Sequence, residues 1–200
     1  MSSVFSLPAA SAIGRSRTGT AAAYRPLRCV GEAVLPTPLA VDLARLLDVD
    51  EDVDRWSCRQ ASTGVSDRPG VVFDVHRATE TEHLLASEHP DAGGDTRDRQ
   101  PACGTGRVRV VTQDDIDPIR LENAKLILPY ARWRVSIDDR VRLLAALDEE
   151  GSVTLGDCLA IFRNTTRPIA AVASLALARV VDLDLDTPLG SRSRVIRRPD

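Results

Sequence analysis

The feature that most limits how this chain folds is a change of hydrophobic period near its C-terminus. From Pro168 to Leu177 nearly every residue is apolar, which marks a buried helix rather than an amphipathic surface one. A few residues later the period becomes two. Val181, Leu183 and Leu185 alternate with Asp182, Asp184 and Asp186. Thr187-Pro188-Leu189-Gly190 makes a turn, and Arg192 to Arg197 returns as the second arm of a β-hairpin. Two earlier helices carry start signals. Ser136 is followed three residues on by Asp139, a capping box with Asp in place of Glu. That helix runs to Gly151 with Ile137, Val141, Leu144 and Ala145 inward. Thr154 with Asp157 repeats the pattern before a short helix bearing Leu155, Leu159 and Phe162. Three helices followed by a hairpin is the order of a winged helix.

The first half is a smaller α/β unit. Thr37 caps a helix opened by Pro38, with Leu39, Leu43, Leu46 and Leu47 as its apolar stripe and the acidic run Asp48 to Asp52 as its end. Trp56 and Cys58 begin a strand. Val71 to Val75, Leu84-Leu85 and Arg107 to Val111 are further strand segments. A helix from Ile119 toward Arg132 must end or kink at Pro129. The expected class is therefore α+β, divided into a flexible basic tail over 1–32, an α/β domain over 33–115 and a winged-helix-like domain over 116–200. Residues 88–105, rich in Gly, Pro and charge, are expected to be a mobile loop.

Composition narrows the function. The formal charge is −3, so the protein is not coated with positive charge for nucleic acid, although a local basic patch remains open. No apolar run reaches the roughly 20 residues that span a bilayer, which excludes a membrane partner on this reading. Lys125 is the only lysine among 26 basic residues, a bias that points to a GC-rich bacterial genome. The N-terminal 28 residues carry four arginines and no acid. A transit peptide has that composition, but a disordered tail suits a bacterial source better, and no charge precedes the short apolar stretch as in a secretory signal. Cys29, Cys58, Cys103 and Cys158 are scattered, with no CxxC pair, which fits a reducing cytoplasm. His76, His83 and His89 have no metal-ligand spacing, so no metal is expected. No phosphate-cradling loop or nucleophile motif is present.

Two stretches resemble the TnsA-like transposon endonuclease family and its relatives of restriction-endonuclease fold. One is Leu46-Leu47-Asp48-Val49-Asp50-Glu51-Asp52-Val53, similar to a helix end before a strand. The other is Val110-Val111-Thr112-Gln113-Asp114-Asp115-Ile116 with Arg120-Leu121-Glu122-Asn123-Ala124, similar to the last nuclease strand and the helix leading into a C-terminal winged helix. The resemblance covers about residues 33–200. It implies a small nuclease-like unit, and it implies carboxylates that hold Mg²⁺ and a lysine beside the attacked phosphate. The matching positions hold other residues: Ala40 and Val72 for two acids, and Ala86 and Glu88 for the third acid and the lysine. The expectation is thus a DNA-associated accessory protein without catalytic residues or cofactor, acting on DNA or beside a transposase-type protein partner. One alternative is an active Mg²⁺-dependent endonuclease using Asp42, Asp74 and Glu88 as substitutes. Another is a protein-interaction module that never meets DNA.

For DNA contact the third helix offers almost no base-reading side chains. One strip, Arg167, Ala171, Ser174 and Ala178, is small and polar enough to face out. The hairpin supplies Arg192, Arg194, Arg197 and Arg198. With a turn centred at Pro188, Asp184 is expected to face Arg192 and Asp182 to face Arg194. Arg197 and Arg198 then remain for phosphate, with Arg167 helping.

Overall fold

The computed structural model describes residues 24–61, 70–88 and 108–198. Its first element, helix α1 (Pro38–Val49), forms where the sequence puts it. Thr37 accepts a hydrogen bond from the Ala40 N–H, and Pro38 occupies the first turn where no backbone donor is needed. Strands β1 (Val53–Ala61), β2 (Gly70–Arg77) and β3 (Thr81–Ala86) follow as an antiparallel meander, and β4 (Val108–Val111) adds parallel to β3. Helix α1 covers one face of this sheet. Leu39, Ala40, Leu43 and Leu47 pack on Val71, Phe73, Val75, Leu84 and Ala86, with Trp56 tilted against Phe73.

The N-terminal boundary differs from the sequence expectation. Residues 24–30, assigned above to a flexible tail, are fixed against the sheet, and Cys29 bridges Trp56 in parallel. The cause is Asp48, fully buried at the end of α1. Its carboxylate accepts from Tyr24 Oη (2.6 Å), the Leu27 N–H (2.6 Å), the Arg28 N–H (2.9 Å) and Trp56 Nε1 (2.8 Å). A buried carboxylate survives only when its lone pairs are filled. Here it exchanges its hydration for four donors and draws the chain in with it. The expected mobile loop over 88–105 lies outside the described residues except for Glu88.

Helix α2 (Pro118–Ile127) starts at an Asp117 cap, and a tight turn over Leu128–Tyr130 ends it at Pro129, as expected. Helix α3 (Ile137–Glu150), β5 (Ser152–Thr154), α4 (Cys158–Ile161), α5 (Pro168–Leu177), β6 (Val181–Leu183) and β7 (Arg194–Arg197) complete the chain. The three short strands form one sheet in the order β5-β7-β6, so β5, expected as part of a capping pattern, also pairs as a strand. Gly151 ends α3 with φ of 74°, a conformation that favours glycine.

The inward face of α3 is not the expected one. Leu143 and Leu147 are buried and Leu144 packs partly on the same core, whereas Ile137 and Val141 are 80% and 58% exposed and Ala145 is exposed too. The stripe is rotated because Asp139 turns inward. Ser136 caps the helix through the Asp139 N–H, but the Asp139 carboxylate is not spent on the Ser136 backbone N–H as in a full capping box. It accepts instead from the backbone N–H groups of Arg163 and Asn164, tying α3 to the loop before α5. At the next start signal, Thr154 and Asp157 do cap each other reciprocally. Leu155 and Phe162 are buried as expected, while Leu159 is 59% exposed.

Candidate polyanion interface

The positions matched to nuclease acids are apolar and packed. Ala40 and Ala86 lie in the cluster under α1, and Val72, on the same strand as Val71 and Phe73, faces the other side of the sheet. The three cannot share one metal. The substitute acids do not assemble either. Asp42, on α1, pairs with Arg45 at 2.8 Å. Asp74 lies on the sheet face away from α1, bridged by Arg59 from β1 and by His83 Nδ1 from β3 at 2.6 Å. Glu88 follows the end of β3. Among the described residues no three His, Cys, Asp or Glu side chains gather as a metal would require. No helix of the described residues is long and apolar enough to cross a membrane.

Helix α5 is buried nearly all round, from Ala170 to Leu175 and at Leu177. Its expected outward strip is a correction. Ala171 is fully buried, and Ser174 is buried and donates its hydroxyl to the Trp133 carbonyl at 2.8 Å. Of that strip only Ala178 and Arg167 at the ends are exposed, and Arg167 lies over the Trp133 ring, 5.7 Å from its centroid. Within the helix Ile169 is the one residue more than a third exposed.

The hairpin register also corrects the arginine assignment. Leu183 pairs with Val195, Asp182 with Ile196 and Val181 with Arg197. The strands therefore meet two residues further along than a turn centred at Pro188 gives. The reason is the segment between them. The α2 side chain of Asn123 donates to the Leu185 and Thr187 carbonyls (2.8 and 2.7 Å) and accepts from the Leu189 N–H, and Arg120 holds Asp186 at 2.6 Å. The connection is folded onto α2 instead of closing as a tight turn. In consequence Arg197, expected to be available, pairs with Asp148 of α3, and Arg198 pairs with Asp182 at 3.4 Å. Arg192 and Arg194, expected to be neutralised by aspartates, are exposed and make no ion pair with any described residue.

These arginines edge a cleft of about 710 Å³ between the C-terminal sheet and the end of α1, whose lining also carries Asp48, Glu51, Asp182, Asp184 and Asp186. Arg194, Ile196 and Arg198 alternate along the outward face of β7, which forms one wall, while Arg28 and Arg179 come from the opposite side. Sequence reasoning missed Asp48, Arg28, Asn123 and Arg179. One signal was present: Asp48 lies four residues beyond Ala44 and eight beyond Ala40, on the buried stripe of α1, where an acid needs partners. No known protein family, curated protein or solved structure matches the chain.

Proposed function

We propose that this protein is a DNA-associated accessory factor that grips phosphate backbone without cutting it. The observation that carries the reading is the pair Arg192 and Arg194, exposed and without ion pairs to described residues, at the edge of a cleft whose acids, Asp182 and Asp186 among them, are partly engaged by other arginines. Cations that no carboxylate neutralises are the groups that displace counterions from a polyanion. The element orders support the same reading. A helix and three antiparallel strands followed by a parallel fourth suit a nuclease-like core, and α3-β5-α4-α5-β6-β7 with strand order β5-β7-β6 suits a winged helix. The enclosure of α5 supports backbone contact over base reading, because phosphate contacts position a protein without specifying sequence.

The lack of cutting rests on chemistry. Phosphodiester hydrolysis needs charge stabilisation at the attacked phosphate and an activated water, which the family it resembles supplies with metal-bound carboxylates. Ala40, Val72 and Ala86 supply no oxygen ligands. Asp74 is engaged with Arg59 and His83. Incubation with supercoiled plasmid and Mg²⁺ or Mn²⁺ tests this: the plasmid is expected to stay intact, and nicking that vanishes in Asp74→Ala would establish the endonuclease instead.

A specific observation also favours a partner protein, in DNA's presence or alone. Leu126, Leu159 and Ile169, all substantially exposed, border an apolar groove of about 460 Å³ with Tyr130 and Leu189. A transposase-type or other protein partner would suit such a face. Co-purification that depends on this groove and persists after nuclease treatment would favour the interaction module over DNA binding.

A further inference from the structure

The apolar groove and the arginines beside it fit one kind of occupant. Leu126 of α2, Leu159 of α4 and Ile169 of α5 are 58%, 59% and 44% exposed, and with Tyr130 and Leu189 they leave about 460 Å³ of apolar space open to solvent. Among the described residues that line it, none carries a carboxylate. The backbone along one wall is already paired. The Leu155 N–H donates to the Ser193 carbonyl, and the Gly156 N–H donates to the Ser191 carbonyl. A strand laid there finds no free ladder, so the occupant must be held by its side chains, as an amphipathic helix in a groove is.

Three of the segments that wall the groove run into an arginine. Arg132 follows Tyr130, Arg167 precedes Ile169 and Arg192 follows Ser191. All three are exposed and make no ion pair with any described residue. Ring contacts place Arg167 at the rim. Its guanidinium lies 5.7 Å over the Trp133 ring, which stands edge-on to Tyr130 at 6.3 Å. Elsewhere the chain pairs its arginines: Arg45, Arg59, Arg77, Arg109, Arg120 and Arg179 each meet a carboxylate. The acids next to the groove in sequence are engaged. Asp157, beside Gly156, accepts from the Thr154 hydroxyl and N–H, and Glu122, one turn before Leu126, pairs with Lys125 at 2.8 Å. A neutral apolar partner would desolvate the three guanidiniums without pairing them, whereas carboxylates at its edges would complement them.

We infer that the groove docks an acidic amphipathic helix of a partner protein. Apolar anchors about three or four residues apart enter the groove, and Asp or Glu side chains beside them meet Arg132, Arg167 and Arg192. The inference rests on the partner-protein reading of this groove and adds the chemistry of the partner. Single-stranded nucleic acid fits less well, because bases stack on aromatic rings and Tyr130 is the one aromatic residue among the described lining.

The test is selection of binders to the full chain from a displayed library of peptides about 16 residues long, roughly four turns of helix, followed by fluorescence anisotropy of the peptides recovered. The expected peptides carry apolar residues at helical spacing with Asp or Glu beside them, and they do not bind Leu159→Glu. Changing their acids to Gln should weaken binding about tenfold, the effect of two or three surface ion pairs. Arg132→Gln with Arg167→Gln should weaken the acidic peptides to a similar degree and leave their Gln versions unchanged. Leu159 and both arginines are exposed, so these variants keep the fold, which unaltered thermal melts would verify. Peptides that need Leu159 but bind equally well with Gln in place of their acids would overturn the acidic helix and leave the partner-protein reading standing. The inference is also overturned if no peptide is recovered, or if the peptides bind Leu159→Glu as they bind the unaltered chain. Displacement of the peptides by duplex DNA from the variant with Arg192→Gln and Arg194→Gln would overturn it as well, assigning the rim to phosphate.

Discussion

Asp139 and Asp48 are the residues on which the two halves of the fold turn. Burial alone would raise the Asp139 carboxyl, but the N–H groups of Arg163 and Asn164, with Ser136 and Arg142, more than offset it and hold it below its usual range. Because the folded form has the lower pKa, this stability is present above the ordinary carboxylate range and is lost as pH falls through the folded value. Asp139→Asn is therefore expected to unfold more easily at pH 7, by about 1–3 kcal/mol, and to flatten the acid side of the stability profile below about pH 4. Denaturant melts at pH 7 and pH 3 check both parts. Asp48 is held by neutral donors, two of them side chains. Removing it in Asp48→Ala leaves the Tyr24 hydroxyl, Trp56 Nε1 and two backbone N–H groups without their acceptor. A drop in stability of about 3 kcal/mol or more is expected, from a cost of about 1–3 kcal/mol per unsatisfied buried group partly relieved by water. Early proteolysis near Arg25 and Arg28 should accompany it; a variant that melts and digests like the unaltered chain would show that Asp48 does not anchor the segment.

At the scale of elements, caps and breakers were legible and faces were less so. Thr37-Pro38, Pro129, Gly151 and Pro168 set their boundaries because each acts through its own backbone or its nearest neighbours. The face of α3 was not legible, because it depends on where the Asp139 carboxylate finds donors, and those lie 24 and 25 residues away. The hairpin register was hidden for the same reason: Asn123, more than 60 residues earlier, fixes the connection. The orientation of α3 is directly testable. Val141→Glu should change stability by no more than about 0.5 kcal/mol, as exposed substitutions do. Leu143→Ala should cost about 2–5 kcal/mol, since it opens a void in a packed core. Reversed costs in thermal melts would restore the face expected from the sequence. In α5, the Ser174 hydroxyl bonds Trp133, so Ser174→Ala should lower stability by about 1 kcal/mol and leave any DNA sequence preference unaltered. An altered preference would make α5 a reading helix.

For the whole molecule, the candidate interface was half legible. The sequence identified the arginine-rich end of the chain, a matter of residue type. It assigned the wrong arginines to solvent, since charge pairing is decided by the packing of β7 against α3 and by the connection held on α2. Arg28 and Arg179 were not legible because they enter the cleft from segments with no motif. The proposed grip on DNA depends on Arg192 and Arg194 meeting phosphate. Fluorescence anisotropy of a labelled duplex, titrated at several salt concentrations, tests it most directly. Binding should weaken steeply with salt and hardly vary with sequence. Arg192→Gln with Arg194→Gln should lower affinity for all duplexes alike and reduce the slope of log K against log salt by about 2, since each neutralised phosphate contributes about 0.9 to that slope. Binding whose affinity and salt slope are unchanged in that double variant, or no binding by the unaltered chain even at low salt, would contradict a phosphate grip by this pair.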